Sequence, residues 1–175
     1  KNSHFKEAVI FSISKQNSAI EKICSIRNKP TFKNTVIPLL NSGNKLTEIL
    51  SIFYSLCATS LTKERENIRK ELLPQISDHF SNIYQNKKLF DRINKIPEFK
   101  TNTKLNIEQN RVLYLLKRNF LRSGIDLKTE DKAKYKKIIK ELGILGVNFS
   151  QNIIKDEKNW IHFLDKKEIS GLPKF

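Results

Sequence analysis

Hydrophobic residues recur at three- and four-residue steps along most of the chain, with charged and amide side chains between them. The first such stretch covers residues 4–26. Its apolar positions are Phe5, Val9, Ile13, Ile20 and Ile23. This spacing places the apolar side chains on one face and predicts an amphipathic helix. Asn28 to Pro30 should end it, because asparagine and proline favour turns.

The next apolar stretch, about residues 32–58, is interrupted by Pro38 and by Ser42-Gly43. A proline inside a helix loses a hydrogen bond and crowds the preceding turn, so a kink or a break into two helices is expected. Thr31 is the predicted N-cap of the region. The second piece has its own apolar stripe, made of Leu46, Ile49, Leu50, Phe53 and Cys57.

Residues 62–86 show a strong helical pattern that contains a proline. The apolar positions are Ile68, Leu72, Ile76, Phe80 and Ile83. Pro74 is expected to bend this helix without changing its buried face. A short helix is predicted over residues 87–95, and residues 97–105 form a polar connector without a period.

A further helix follows the connector. Asn106 and Gln109 have the spacing of a capping box, which opens a helix through about Arg122. Its inward positions are Val112, Leu113, Leu116 and Phe120. Ser123-Gly124 is expected to end it, because glycine favours the position just past a helix.

The last helix is predicted to be the longest, with Thr129 as its N-cap. Glu130 and Asp131 complement the positive end of its dipole. Its apolar stripe is Tyr135, Ile138, Ile139, Leu142, Leu145, Phe149 and Ile153. Gly143 and Gly146 interrupt this helical pattern. Each is expected to make the free energy of helix formation about 1 kcal/mol less favourable than alanine would. After it, Trp-Ile-His-Phe-Leu at 160–164 is typical of a strand.

These patterns predict an all-α fold. It would be an antiparallel, bundle-like layer of about six helices, with one short strand-like segment near the C-terminus. The 175 residues are expected to form one helical domain, 1–175. No apolar run approaches the ~20 residues that cross a bilayer. The chain starts at Lys1 and contains no Met, which fits a partial chain.

Two observations favour a cytoplasmic location. Residues 1–26 mix charges and lack the apolar centre of a secretory signal. The chain has two cysteines, Cys24 and Cys57, too few for a disulfide framework. Both lie within apolar helical patterns, so we expect buried free thiols that act as small hydrophobic side chains.

The formal charge of +15 suggests a nucleic-acid partner, because Lys and Arg neutralise phosphates. The excess is spread evenly, however. Residues 1–88 carry 14 basic and 7 acidic side chains, and residues 89–175 carry 19 and 11. Diffuse charge says more about solubility than about a site, so no specific nucleic acid is expected. The densest basic group is Lys132, Lys134, Lys136, Lys137 and Lys140, which we interpret as the solvent-exposed face of the last helix.

The sequence contains no recognisable catalytic motif. A zinc peptidase needs two histidines four residues apart on a helix, beside a glutamate that activates water. His4, His79 and His162 are each followed by Phe, and no two are that close. Cys57 has no supporting local motif for a nucleophile. The acidic pairs are Glu64/Glu66 and Asp156/Glu157, which we interpret as solvated faces or helix ends.

The segment from Pro30 to Gly43, Pro-Thr-Phe-Lys-Asn-Thr-Val-Ile-Pro-Leu-Leu-Asn-Ser-Gly, resembles the zinc oligopeptidases of the thimet oligopeptidase, neurolysin and peptidyl-dipeptidase Dcp family. Further matching pieces follow in order: Leu73-Pro74, Asn86 to Ile93, Glu108-Gln109, Phe120 to Gly124, Phe149 to Asn152, Trp160 and Gly171 to Pro173. The branch it resembles is that of bacterial Dcp and oligopeptidase A. Lys33 departs from the pattern, because the family commonly has an acidic residue there.

The resemblance implies a fold and a role. Family members look like two mostly helical halves around a deep channel with zinc on its floor. This chain would be the N-terminal, non-catalytic half, which forms a wall of the channel. Its partners would be the missing C-terminal catalytic domain of the same polypeptide and, in the intact enzyme, short peptide substrates. No catalytic, cofactor-binding or metal-binding residue of the family falls in the matching segment, so none is assigned.

The cofactor of the complete enzyme would be zinc, and this chain alone is expected to bind none and to cleave no peptide. No membrane partner is expected. Two alternatives stay open from the residues themselves. One is a free-standing helical protein-interaction module, a remnant of a peptidase, and the other is a basic nucleic-acid-binding domain.

Overall fold

A computed structural model describes residues 2–60, 62–97, 105–165 and 167–171. These residues contain seven α-helices, one π-helical turn and no strand, which confirms the all-α prediction. In chain order the elements are α1 (Ser3–Ser25), the π turn (Phe32–Val36), α2 (Ile37–Ser42), α3 (Asn44–Thr59), α4 (Lys63–Tyr84), α5 (Lys87–Asn94), α6 (Ile107–Arg122) and α7 (Thr129–Asn159).

The chain divides into two compact units, Lys1–Asp126 and Leu127–Phe175, whereas the sequence pattern predicts one domain for residues 1–175. The first unit contains α1 to α6, and the second contains α7. Within the first unit, the helices predicted over residues 4–26, 62–86 and 87–95 are confirmed as α1, α4 and α5. Each of their ends lies within two residues of its predicted place.

The larger of two apolar clusters in the first unit joins α1 to the π turn, α2, the end of α4, α5 and α6. Leu89, Leu113 and Phe120 are completely buried in it. The ring of Phe120 stacks on that of Phe90 at a centroid distance of 5.6 Å and meets Tyr84 edge-on at 5.2 Å. Burial of a large apolar side chain stabilises a fold by roughly 1.5–3 kcal/mol. These side chains therefore fix where α6 packs.

The smaller apolar cluster joins α1 to α3 and α4. Its buried members are Val9, Leu46, Leu50, Leu72 and Ile76. All five belong to the apolar stripes that the sequence predicts. Helices α1 and α4 both contribute to the two clusters, since Ile83 of α4 belongs to the larger one.

The break predicted near Pro38 and Gly43 is confirmed. Pro38 occupies the first turn of α2, where a backbone N–H would have no partner within the helix. Gly43 lies between the end of α2 and the start of α3. A Cβ atom added at Gly43 would lie 2.9 Å from Nε2 of Gln16 on α1. A larger residue at this position would have to push the end of the Gln16 side chain aside, so the close approach of α1 favours glycine.

Pro74 lies inside α4, which continues through it with its predicted buried face largely unchanged. The buried residues of α4 are Leu72, Ile76, His79 and Ile83. One prediction on this face is wrong: Phe80 is 39% exposed, and its neighbour His79 takes the buried position at 4%. Repeated four-residue steps drift around a helix of 3.6 residues per turn, and the three-residue step to position 79 corrects that drift.

Both ends of α6 form as predicted. The side-chain oxygen of Asn106 accepts from the backbone N–H of Gln109 at 2.8 Å, and the Asn106 N–H donates to Oε1 of Gln109 at 3.2 Å. The helix ends before Ser123, and Gly124 adopts a φ of 76°, in the left-handed region that favours glycine. Most of the predicted polar connector, residues 98–104, lies outside the described residues.

The predicted N-cap of the last helix is wrong by one position. Thr129 is the first helical residue of α7, and Lys128 precedes it with an extended ψ of 157°. The Lys128 side chain has no oxygen with which to accept a backbone N–H, and no side-chain cap forms. Glu130 and Asp131 do lie in the first turn, where they complement the helix dipole.

The apolar stripe of α7 forms on the helix but is exposed. Tyr135 is half-buried, whereas Leu142 is 57% exposed and Phe149 is 68% exposed. The exposed members, which we term the α7 stripe, are Ile138, Ile139, Leu142, Leu145, Phe149 and Ile153. Among the described helices, none combines the length and the apolar character that a membrane span needs.

The strand predicted at residues 160–164 is wrong. These residues follow α7 as irregular backbone without a ladder partner in the described part of the chain. A strand requires hydrogen bonds from a neighbouring strand, so its apolar composition alone does not create one. The Trp160 ring instead stacks on His162, with centroids 5.7 Å apart.

Candidate functional site

The three histidines do not assemble into a metal site. His79 is buried in α4, with Nε2 2.9 Å from Oε1 of Gln16. His4 is exposed in the first turn of α1. Nε2 of His162 lies 3.8 Å from a carboxylate oxygen of Glu168, and both side chains are about half exposed. Across the described residues, no three His, Cys, Asp or Glu side chains are grouped to hold a metal ion.

The cysteines are free thiols, as predicted. Cys57 is buried in α3, and Cys24 is half-buried on α1. Burial raises the pKa of the Cys24 thiol, while the nearby charges of Arg92 and Lys88 oppose the rise. A thiol held in its protonated form is a poor nucleophile, so Cys24 offers no catalytic group.

The paired carboxylates lie on the surface, as predicted. Glu64 accepts a hydrogen bond from the Asn2 amide at 2.6 Å. Glu66, which is partly exposed, forms an ion pair with Lys70 at 2.7 Å, and the hydrogen bond from that lysine lowers the pKa of the Glu66 carboxyl. Asp156 and Glu157 are exposed on α7. None of the four is placed as a buried acid or base.

The lysine group of α7 is also a solvated face. Lys134, Lys136, Lys137 and Lys140 are exposed, and only Lys132 is half-buried. Nζ of Lys134 lies 3.7 Å from a carboxylate oxygen of Asp131. Proteins that track single strands interleave such charges with exposed aromatic rings, and Tyr135 is half-buried instead.

Two shallow grooves flank α1 in the first unit. One, of about 230 Å³, is lined by Asn17, Ile20, Glu21, Asn82, Ile83 and Asn86. The other, of about 370 Å³, is lined by Lys6, Glu7, Glu64, Asn67, Ile68 and Glu71. Neither lining contains a histidine or a cysteine, and Glu71 is paired with Lys6 at 2.6 Å. These grooves therefore lack a nucleophile and a base at hydrogen-bonding distance.

The Pro-Thr-Phe-Lys-Asn-Thr segment has a structural role in this fold. The Thr31 side chain accepts from the backbone N–H of Asn34 at 3.1 Å, and the Thr31 N–H donates to the Asn34 side-chain oxygen at 2.8 Å. This reciprocal capping box starts the π turn and confirms Thr31 as an N-cap. The neighbouring Phe32, Thr35 and Val36 are buried beneath it.

A second segment that resembles the oligopeptidase family packs directly on the Pro-Thr-Phe-Lys-Asn-Thr segment. Arg92 of α5 is only 8% exposed. Its Nε donates to Oγ1 of Thr35 at 3.0 Å, and its Nη2 donates to the side-chain oxygen of Asn34 at 3.3 Å. Its remaining bonds go to the backbone oxygens of Ile26, at 2.7 Å, and Asn28, at 3.2 Å. We term these five residues the Arg92 cluster.

The Arg92 cluster links two segments that are far apart in the sequence, one containing Thr35 and the other containing Arg92. The guanidinium group has five N–H donors in a planar fork, which can satisfy several acceptors at once. It ties the end of α1 and the start of the π turn to α5. Sequence reasoning missed this contact, because Arg92 and Thr35 are 57 positions apart and nothing local to either residue indicates the other.

Sequence reasoning also missed the polar residues buried on α1. Ser12 and Gln16 are 4% and 6% exposed, on the same side as the predicted apolar stripe. Their spacing offered a signal, since residues four apart lie on one face of a helix. A glutamine inside an apolar face needs a buried partner, and here that partner is His79.

The described residues thus contain structural polar clusters and no assembled catalytic group. No protein-family model matches the chain. The chain is 25% identical to dipeptidyl carboxypeptidase of Escherichia coli (strain K12) over 158 residues, 90% of this chain and 23% of that protein. It is 24% identical to oligopeptidase A of Salmonella typhimurium over 174 residues, 99% of this chain and 26% of that protein.

A plant relative shows the same partial coverage. The organellar (chloroplastic/mitochondrial) oligopeptidase A of Arabidopsis thaliana is 27% identical over 146 residues, 83% of this chain and 18% of that protein. The predicted resemblance to the Dcp and oligopeptidase A branch is therefore confirmed over nearly the whole chain. The chain spans about a quarter of the length of the curated relatives it matches.

Proposed function

We propose that this chain is the N-terminal helical region of a cytoplasmic zinc oligopeptidase of the dipeptidyl carboxypeptidase and oligopeptidase A type. In this proposal it forms a wall of the substrate channel, and the rest of the enzyme hydrolyses short peptides. The observation that carries the proposal is the extent of the similarity. It covers 90–99% of this chain in the bacterial relatives, yet only about a quarter of those proteins.

The distribution of ligand-type residues supports a non-catalytic role. Catalytic zinc sites generally take three protein ligands, and zinc does not fit the described residues, which contain no such group. Thr31, Asn34 and Arg92, which lie in the sequence pieces that resemble the family, make hydrogen bonds within the fold. Hydrolysis is therefore assigned to the remainder of the polypeptide, where zinc would supply the activated water.

The α7 stripe supports a partner in the intact enzyme. Contiguous exposed apolar surface usually marks an interaction site, and the stripe is followed by Trp160 and Phe163, which are also exposed. A free-standing interaction module derived from a peptidase should have replaced such a surface with polar residues. We assign the stripe to contact with the catalytic region of the same polypeptide.

The proposal predicts that the purified chain is catalytically silent. Metal analysis should find far less than one zinc per chain, and a quenched-fluorescence peptide should be cleaved no faster than in buffer. Dipeptidyl carboxypeptidase from Escherichia coli, assayed in parallel, provides the active control. Stoichiometric zinc together with cleavage that a chelator abolishes and zinc restores would overturn the proposal.

The reading frame separates this role from that of a free-standing module. In the gene, the codons that follow Phe175 should continue into a segment that encodes a His-Glu-x-x-His helix, which supplies two zinc ligands and the general base. A stop codon directly after Phe175, confirmed in the transcript, would instead favour the free-standing module.

A further inference from the structure

Helix α6 has an exposed face in addition to the face that packs in the larger apolar cluster. Its residues follow one another at steps of three or four, so they share one side of the helix. We term this set the α6 face, and its members are Ile107, Arg111, Tyr114, Arg118 and Leu121. Ile107 is 81% exposed, Tyr114 is 42% exposed and Leu121 is 52% exposed. Cationic side chains thus alternate with apolar and aromatic ones on an accessible surface.

The two arginines of the α6 face lie beside the same aromatic ring. The guanidinium carbon of Arg111 is 5.5 Å from the centroid of the Tyr114 ring, and that of Arg118 is 5.9 Å from it. Arg111 precedes Tyr114 by about one helical turn, and Arg118 follows it by about one turn. A ring attracts a cation within about 6 Å of its centroid, so Tyr114 favours an ordered position for both guanidinium groups.

Neither guanidinium group has a hydrogen-bond acceptor or an ion-pair partner among the residues that the structure describes. Nε of Arg118 is buried, whereas its two terminal nitrogens are not buried in this way and reach solvent. Arg111 is exposed. Glu108, the one acidic residue of α6, is also exposed and pairs with neither arginine in the described part of the chain. The face therefore presents N–H donors that the described fold does not use.

These unused donors indicate the chemistry of a ligand. A guanidinium group binds a carboxylate through N–H donors that lie in one plane. Arg111 and Arg118 are seven residues apart, which corresponds to about 10.5 Å along the helix axis. Carboxylates two turns apart on a second helix repeat at the same distance. A helix that lies along α6 can offer one carboxylate to each arginine and apolar side chains to Tyr114 and Leu121.

The α6 face suits an acidic protein segment better than a nucleic acid. Single strands stack their bases on free aromatic rings, whereas the guanidinium groups already lie beside the Tyr114 ring. Exposed Ile107 and Leu121 offer apolar contacts that a phosphate backbone does not use. Tyrosine and arginine are also among the residue types that contribute most to binding between proteins.

We propose that the α6 face is a docking site for an acidic amphipathic helix of a separate protein. Its carboxylates pair with Arg111 and Arg118, and its apolar residues cover Tyr114 and Leu121. One helix face offers a small contact, and small contacts are typical of transient encounters between separate proteins. The formal charge of +15 adds long-range attraction for an acidic partner. The site lies in the first unit and does not depend on the proposed peptidase role.

Fluorescence anisotropy of the purified full chain with a labelled helical peptide tests this site. The peptide carries two glutamates seven residues apart, with leucines between them on the same face. A control peptide has the same composition, with the glutamates moved to the opposite face. In low salt the first peptide should bind severalfold more tightly than the control peptide, and the difference should shrink at about 1 M salt, where charges are screened within about 3 Å. Equal binding of the two peptides would overturn the proposal.

A pair of double variants separates the α6 face from the general positive charge. Arg111→Gln with Arg118→Gln should weaken binding of the acidic peptide about tenfold, because two ion pairs are lost. Arg27→Gln with Arg69→Gln is the matched control, since it removes the same charge from two exposed arginines outside α6. The control should weaken binding less than about twofold. Equal weakening in both double variants would show that binding follows net charge alone.

Charge reversal at one exposed position keeps the test decisive if Arg118→Gln does not fold. Arg111→Glu should keep the circular dichroism spectrum, lose most binding of the acidic peptide and gain binding of a version with lysine in place of glutamate. Unchanged binding of the acidic peptide would contradict the site. A single-stranded oligonucleotide, measured in parallel, should bind the Arg111 and Arg118 double variant as it binds the control double variant. A selective loss of oligonucleotide binding there would replace the acidic helix with a phosphate ligand.

Discussion

Arg92 belongs to an eight-residue helix, yet its guanidinium bonds to four residues between Ile26 and Thr35. Two of its acceptors are backbone oxygens at the end of α1, which have no partner within the helix or its turn. A buried acceptor that loses its donor costs about 1–3 kcal/mol. The contact therefore stabilises both a helix end and the packing of α5.

Replacement of Arg92 should lower the stability of the fold. Arg92→Lys keeps the charge but loses the planar fork, so we expect a loss of about 2–3 kcal/mol of unfolding free energy. Arg27→Lys, at an exposed position beside the same turn, should change it by less than about 0.5 kcal/mol. Urea unfolding followed by circular dichroism measures both. Equal midpoints for the two variants would show that the cluster adds nothing beyond charge.

At the scale of the element, helix ends set by neighbouring residues were predictable from sequence. Thr31 with Asn34 and Asn106 with Gln109 satisfy backbone groups three residues away, so the signal is local. The prediction of a strand at residues 160–164 was wrong, because a strand forms only with a partner strand that can lie far away in the sequence. The buried partners of Gln16 and Arg92 were invisible for the same reason, since they arise only after α1 packs.

The glycines of α7 provide a test of helix propensity. Gly143 and Gly146 are helical, and a Cβ atom at either would have no heavy atom within 4 Å. Alanine at each position should therefore stabilise α7 by roughly 0.5–1 kcal/mol, through a smaller entropy loss on folding.

Thermal unfolding followed by circular dichroism checks this, with higher helicity or a higher midpoint as the expected result. Gly124→Ala is the matched control of opposite sign, because its φ of 76° strains any residue with a side chain. A loss of helicity in Gly143→Ala would show that α7 is not continuous there.

At the scale of the whole molecule, the two units differ in what their apolar residues do. The first unit buries its predicted stripes in two clusters around α1. In the second unit the longest stripe is exposed along α7. Sequence periodicity predicted both stripes equally well, because it reports which residues share a face. It does not report what covers that face.

The exposed stripe predicts how the isolated chain behaves in solution. Ile138, Leu142 and Phe149 are 55%, 57% and 68% exposed, so their replacement by glutamine removes little buried area and should shift stability by less than about 1 kcal/mol. The triple variant should bind less of an apolar fluorescent dye and self-associate less at high concentration, because the contiguous patch is gone.

Light scattering and dye titration across a concentration series measure these effects. Lys134→Gln, Lys137→Gln and Lys140→Gln together form the matched control, with the same helix and the same replacing residue on exposed charged positions. That control should leave dye binding unchanged, since it removes no apolar area. If the apolar triple variant instead loses several kcal/mol and its helicity, the stripe is buried in the isolated chain, and the surface assigned to the catalytic region must lie elsewhere.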